Sequence, residues 1–144
     1  LAVRLLLSRL RVSDEGIDVL GFLSQEELTD ALRATKALVA PSLGGESFGM
    51  VLTRAFACAT PVVASDIPGY REVVTSQTSV AVPPGEVEAL ADAVELLVAD
   101  EPRREAMGAA ARELAVDRYG WADIARRLEE VYARVVDRRE AAAA

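Results

Sequence analysis

Four short apolar runs, each bounded by turn-forming residues and separated by helix-patterned segments, constrain what this chain can fold into. They are Ile17-Asp18-Val19-Leu20, Ala37-Leu38-Val39-Ala40, Pro61-Val62-Val63-Ala64 and Ser79-Val80-Ala81-Val82, the last stopped by Pro83-Pro84-Gly85. Short continuous apolar runs of this kind suit strands buried on both faces. Between them lie helical patterns. Ser24 followed by Glu27 forms a capping box, and the segment to about Thr35 carries Leu28, Ala31 and Leu32 on one face. A second helix is expected from about Phe48 to Cys58, and a short one after Pro68. Three helices then follow with no strand between them: Glu86–Ala99, Pro102–Val116 with a proline suited to a first helical position, and Trp121–Arg138 with regular three-four spacing of Trp121, Ile124, Leu128, Val131 and Val135. Strands alternating with helices imply a parallel sheet covered on both faces. With no internal repeat or linker, the chain reads as a single domain over residues 1–144.

Composition narrows the chemistry. The 144 residues hold 23 acidic and 16 basic side chains, for a formal charge of −7. That balance offers no footprint for nucleic acid. The one cysteine, Cys58, cannot form an internal disulfide or a cysteine zinc site, and it reads as a small buried hydrophobe. Histidine is absent, which rules out a Ser-His-Asp or Cys-His apparatus and any histidine-ligated metal. No apolar run reaches the ~18 residues of a membrane span. Leu1–Leu10 is apolar but dotted with arginines, so it reads as a helix with Val3, Leu6, Leu7 and Leu10 inward, not as a signal peptide. A cytoplasmic location is expected.

The chemistry is concentrated in Pro41-Ser42-Leu43-Gly44-Gly45-Glu46-Ser47-Phe48-Gly49-Met50, which follows a buried strand and opens a helix. Ligands of open parallel sheets bind beyond the C-terminal strand ends. The glycines allow close approach of backbone to a ligand, and a helix start presents unpaired N–H groups suited to phosphate. An acceptor such as Glu46 among those donors could bind sugar hydroxyls. On the residues alone, a helix cap with a glycine turn accounts for the stretch equally well. Neither a GxGxxG fingerprint nor a GxxxxGKS loop is present.

The run from Pro41-Ser42 through Glu46-Ser47-Phe48-Gly49-Met50-Val51-Leu52 and Ala55-Phe56-Ala57-Cys58-Ala59-Thr60-Pro61-Val62-Val63-Ala64-Ser65 resembles the retaining glycosyltransferases called group 1, or family four. Val19-Leu20-Gly21-Phe22-Leu23-Ser24, Pro68-Gly69-Tyr70-Arg71-Glu72-Val73-Val74, Tyr119-Gly120-Trp121 and Val131-Tyr132 extend the likeness over nearly the whole chain. Leu43–Gly49 and Arg118-Tyr119-Gly120-Trp121 look most like phosphatidylinositol mannosyltransferases. The resemblance implies the Rossmann-like, doubly wound C-terminal half of a GT-B enzyme, with strand order 3-2-1-4-5-6. The four runs would be strands three to six, and the first two strands would precede Leu1.

Roles follow by the same resemblance. Glu46, the first glutamate of the family's E-x7-E motif, would be the catalytic residue contacting donor-sugar hydroxyls. Backbone at Gly45, Ser47, Phe48 and Gly49 would face the sugar, and N–H groups near Met50, Val51 and Leu52 would receive the distal phosphate. Leu23 and the backbone of Ser24 would contact the base. The motif's second glutamate holds the ribose hydroxyls, but this chain has Arg54 there. Arginine has no acceptor for hydroxyl protons. Ala59 replaces a usual glycine, and Thr53 is a smaller departure. The donor would be a nucleotide diphosphate sugar, GDP-mannose first or a UDP-sugar, with no metal or other cofactor. The family's basic pyrophosphate contacts and its acceptor-binding domain would lie outside this chain, as would any membrane association.

Two rivals stand beside a donor-binding domain of an active transferase. One is a nucleotide-sugar-binding relative inactivated by Arg54; the other is an unrelated Rossmann-like regulatory module. Several side chains have plainer expected roles: Trp121 in the core or at a domain interface, Asp66 as cap of the helix after Pro68, and Arg103, Arg104 and Glu105, with Arg126, Arg127, Glu129 and Glu130, on solvated faces. Glu46 is expected at the cleft mouth, partly exposed and not in a buried structural salt bridge, with the Arg54 guanidinium near the ribose site and paired with it in the empty state. Without strands one and two, the edge of strand four is expected to be unpaired, making the isolated chain prone to dimerise or aggregate, unless strand three slides in beside it.

Overall fold

The computed structural model describes residue 13 and residues 15–143; the expected helix Leu1–Leu10 lies outside them. The described elements run α1 (Gln25–Ala34), β1 (Leu38–Ala40), α2 (Met50–Ala57), β2 (Val62–Ser65), α3 (Pro68–Arg71), β3 (Ser79–Val82), α4 (Val87–Ala99), α5 (Glu101–Tyr119) and α6 (Trp121–Ala143). The strands form one parallel sheet in the order β1-β2-β3, with Val39 opposite Val63 and Val63 opposite Val80. This is the α/β arrangement expected from the alternating pattern.

The middle strand shows why its sequence is apolar at successive positions. All four residues of β2 are buried. Val62 and Ala64 join one core cluster with Leu52, Phe56, Tyr70 and Ala111, while Val63 joins the other with Val82, Leu97 and Met107. Successive strand side chains point to opposite faces, so one tetrapeptide supports two helical layers. Phe56 and Leu97, the large anchors of these layers, are both fully buried.

Local signals set the element ends. At α1, the Ser24 hydroxyl accepts from Glu27 N–H at 3.2 Å, and Ser24 N–H donates to Glu27 Oε2 at 2.8 Å. The capping box is therefore complete. At the end of α2, Ala59 N–H donates to Phe56 O at 2.9 Å and Thr60 N–H to Ala55 O at 3.0 Å. That is a Schellman motif, which calls for a left-handed residue after the cap. Ala59 occupies that position with φ 58°, where an L side chain crowds its own backbone. The buried Thr60 hydroxyl donates to Leu32 O at 2.7 Å, tying the end of α1 to the entry of β2. Gly108 lets α5 approach the Ala59 carbonyl, into which any Cβ there would run.

Three expectations need correction. Ile17-Asp18-Val19-Leu20 is not a strand. No described strand lies beside it to complete a hydrogen-bonded ladder, Gly16 and Gly21 flank it in the left-handed region at φ 76° and 71°, and Val19 and Leu20 are exposed. It does not slide in beside β1, whose outer edge is unpaired among the described residues. Trp121 is 80% exposed, which removes the core from its two expected places and leaves the domain interface untested. It opens the apolar face of α6, where Leu128, Tyr132 and Val135 are also exposed. Asp66 does not cap α3, whose N-cap is Ile67. Its carboxylate instead takes Arg71 Nε at 2.7 Å and a second guanidinium nitrogen at 3.2 Å. The Arg71 hydrogen bond holds the Asp66 carboxyl below its usual range.

Candidate functional site

The loop between β1 and α2 sits at the C-terminal edge of the sheet, where the side-chain spacing of both elements leaves a polar connection. Its last residue, Gly49, is the N-cap of α2 with φ 76° and ψ 55°. A Cβ there would stand 2.7 Å from the Tyr70 ring, so both the backbone angle and the close approach require glycine. Gly45 also has a positive φ, of 76°, but its surroundings are open.

Glu46 is exposed, and its Oε1 accepts from the N–H groups of Ser47 at 3.2 Å and Gly49 at 3.3 Å. The carboxylate thus lies on the positive end of the α2 dipole. Leu52 N–H is already committed to Gly49 O at 2.9 Å, and the Leu52 side chain is fully buried. Among the described residues the N–H groups of Phe48, Met50 and Val51 have no such partner, and Met50 and Val51 are exposed. The helix start therefore presents unpartnered donors, among the described residues, beside an exposed acceptor.

Neighbouring elements brace this loop. Ser42 Oγ lies 2.9 Å from the Tyr70 hydroxyl. Phe48 meets Tyr119 edge to face, with centroids 5.7 Å apart. Any side chain at Gly69 would run into the Glu46 carbonyl. Tyr70, Gly69 and Tyr119 were not among the site residues expected from sequence. The available signal was Gly69 directly after Pro68, since glycine within a helix is disfavoured unless something approaches closely. Burial pushes the Tyr119 phenol up, in keeping with a ring that packs more than it titrates.

Arg54 is exposed on α2 but makes no ion pair with Glu46. The reason is geometric: Glu46 folds onto the N–H groups in front of the helix, whereas Arg54 faces α1. There it shares a hollow with Gln25. Leu23 is half-buried at the entry to α1. The Ser24 N–H and hydroxyl are both taken by the capping box, so its backbone donor is not free for a ligand. An apolar cavity of about 150 Å³, lined by Pro41, Leu43, Ser65, Val82 and Pro83, joins the ends of all three strands. A larger hollow of about 380 Å³ lies elsewhere, along β3 between Asp66, Thr75 and Arg103. Among the described residues no cluster of metal-ligating side chains is present, and no helix is long and apolar enough to cross a membrane.

The sequence profile of the family described as "Glycosyl transferases group 1" matches residues 7–114. The chain belongs to that family. Its sequence is 41% identical over 119 residues to a phosphatidyl-myo-inositol mannosyltransferase of Mycobacterium leprae (strain TN), covering 82% of this chain and 32% of that protein. It is 40% identical over 118 residues to a D-inositol 3-phosphate glycosyltransferase of Xylanimonas cellulosilytica, covering 81% and 28%. The chain thus spans about a third of the length of these relatives. Among solved structures it resembles sucrose-phosphate synthase from Thermosynechococcus elongatus, with TM-score 0.85, 29% identity, and 94% and 34% of the two chains covered. Anabaena HepE in complex with UDP superposes with TM-score 0.83 at 23% identity, covering 92% and 36%. The fold of this group 1 chain is the C-terminal domain of a GT-B glycosyltransferase.

Proposed function

We propose that this group 1 chain is the donor-binding domain of a retaining glycosyltransferase, which moves a hexose from a nucleotide diphosphate sugar to an acceptor hydroxyl. Mannose carried on GDP is the preferred donor, because the mannosyltransferase of M. leprae is 41% identical; a UDP-sugar is the alternative. The observation that carries this reading is the start of α2. An exposed glutamate sits on two N–H groups there, beside three more that lack a partner among the described residues.

The chemistry this arrangement supports is binding and charge stabilisation. On donor entry, Glu46 releases Ser47 and Gly49 and turns its acceptors to the sugar hydroxyls. The N–H groups of Phe48, Gly49, Met50 and Val51 then face the distal phosphate. Their placement at a helix N-terminus stabilises the negative charge that grows on the leaving nucleotide diphosphate. Pre-set backbone donors do this without reorganising at the moment of bond cleavage. No metal is needed in this scheme. The acceptor half belongs to the part of the longer enzyme that this chain does not span.

A second reading has one observation in its favour. Arg54 stands where the family's ribose-binding glutamate is expected, and a guanidinium cannot accept hydroxyl protons. In this reading the domain binds donor weakly and does not turn over. Titration of GDP, UDP and ADP against the amide signals of the 144-residue chain tests both. GDP or UDP is expected to move the signals of residues 46–52, and Glu46→Ala to weaken binding of the matching nucleotide sugar about tenfold, a loss of ~1.4 kcal/mol. Failure of all three nucleotides to move those signals overturns the proposal. Arg54→Glu that tightens donor binding favours the second reading's account of position 54.

A further inference from the structure

Beside the proposed donor cleft lies a feature that the donor chemistry does not use. Three arginines from three different helices converge on one hollow of about 210 Å³. Arg33 comes from the last turn of α1, Arg54 from α2 and Arg112 from α5. Gln25 and Thr29 of α1 add polar groups, and Cys58 closes the apolar floor. No carboxylate lines the hollow, although acidic residues outnumber basic ones by 23 to 16 in the chain.

The charges there are not matched among the described residues. Arg112 donates to the carbonyl oxygen of Ala57, one of the last acceptors of α2, which fixes its position at the rim, and among the described residues it makes no ion pair. Arg54 makes no ion pair among the described residues. Arg33 reaches Asp30 only at 3.9 Å, with both side chains well exposed, a pair that solvent screens almost completely. Like charges gathered around one concavity raise the local potential and favour an anion. Guanidinium groups pair with carboxylate and phosphate alike, but three of them around one hollow exceed the two oxygens of a carboxylate and match a phosphomonoester, with its three acceptor oxygens and charge approaching −2.

We infer that the hollow between α1, α2 and α5 is an anion site for a phosphomonoester, held by Arg33, Arg54 and Arg112. Arg54 then has a positive role: the change that removes an acceptor for ribose hydroxyls adds a donor for a phosphate. The phosphate is carried either on the ribose of a nucleotide or by a separate small ligand. Only the first source rests on the donor-binding reading above.

The test uses inorganic phosphate as probe and the side-chain Nε–H signals of arginine as readout, at constant ionic strength. Phosphate is expected to shift the signals of Arg33, Arg54 and Arg112 together and saturably, while Arg71 and Arg103 stay still. Arg54→Ala should weaken the binding about tenfold, and Arg33→Ala less. A ribose-phosphorylated nucleotide such as adenosine 2′-monophosphate, compared with inorganic phosphate, then separates the sources. Tighter binding of the nucleotide assigns the phosphate to a ribose; equal binding assigns it to a separate ligand; both support the site. Arginine signals that do not move, or that all move alike without saturation, overturn it. This result is independent of the nucleotide titration, which reads the amides of residues 46–52.

Discussion

Two helices of this domain begin in opposite ways. α1 is closed by residues that serve only each other: Ser24 and Glu27 exchange two hydrogen bonds across the first turn. α2 has no side-chain cap at its N-cap glycine. Its foremost donors are covered by Glu46 from the preceding loop through two long bonds of 3.2 and 3.3 Å. The first helix is finished, whereas the second, in the donor-binding reading proposed above, is left open to exchange one acceptor for another. A helix start that only has to be stable places its acceptor at the cap itself. A start that receives a ligand needs a glycine there, and an acceptor on a loop that can leave.

The largest expected effect comes from the brace that holds the open end in place. Gly69→Ala drives a Cβ into the Glu46 carbonyl. The loop and α3 must move apart, at a cost of about 1–3 kcal/mol by analogy with overpacked cores. Chemical denaturation should show that loss, and the amide signals of residues 42–49 should shift while those of α1 do not. Equal shifts in both regions would mean that the α2 loop is not separately braced.

Removing the closed cap should be milder. Ser24→Ala is expected to cost about 1 kcal/mol, as such caps do, without altering nucleotide binding at α2. The same cap carries a pH signature. The Ser24 N–H donates to Glu27 and holds its carboxyl below the ordinary value. Its contribution is therefore fully present above the unfolded-state carboxylate range, and is lost as pH falls through the lowered folded value. Stability measured between neutral and acidic pH should fall less steeply in Glu27→Gln than in the unaltered chain. A slope unchanged by that substitution would remove Glu27 from the pH response.

The smallest effect concerns the far end of α2. Ala59→Gly relieves the left-handed strain of φ 58°. It should stabilise the chain by about 0.5–1 kcal/mol, reduced by the greater freedom glycine gains when unfolded. A thermal melt would register a small rise in midpoint. A fall would show that the alanine methyl makes a packing contact worth more than the strain.

Much of the fold was legible because its signals are local. The Ser24–Glu27 box, the apolar runs of β1, β2 and β3, and Pro102 in the first turn of α5 all act within a few residues, and each appears at or beside its expected place. The run at residues 17–20 has the same apolar character but forms no strand, since a strand exists only with a hydrogen-bonded neighbour. The pattern of α6 was legible too, yet periodicity shows only that one face is apolar, not what covers it. That is why Trp121 is exposed among the described residues.

Sequence by itself determined the alternation of strand and helix, the two-sided burial of Val62–Ser65 and the loop on which the group 1 likeness rests. Tertiary structure decided how that loop is held and what its side chains do. Gly69 and Tyr70 reach the loop from α3, and Tyr119 from the end of α5. Glu46 lies on backbone donors and not on Arg54. Arg33, Arg54 and Arg112 share one hollow, although 79 positions (112 − 33) separate the outer two. The physical reason is range. Turn geometry, capping and hydrophobic period are set within one or two turns of chain, whereas the surroundings of a charge depend on which helices the sheet brings side by side.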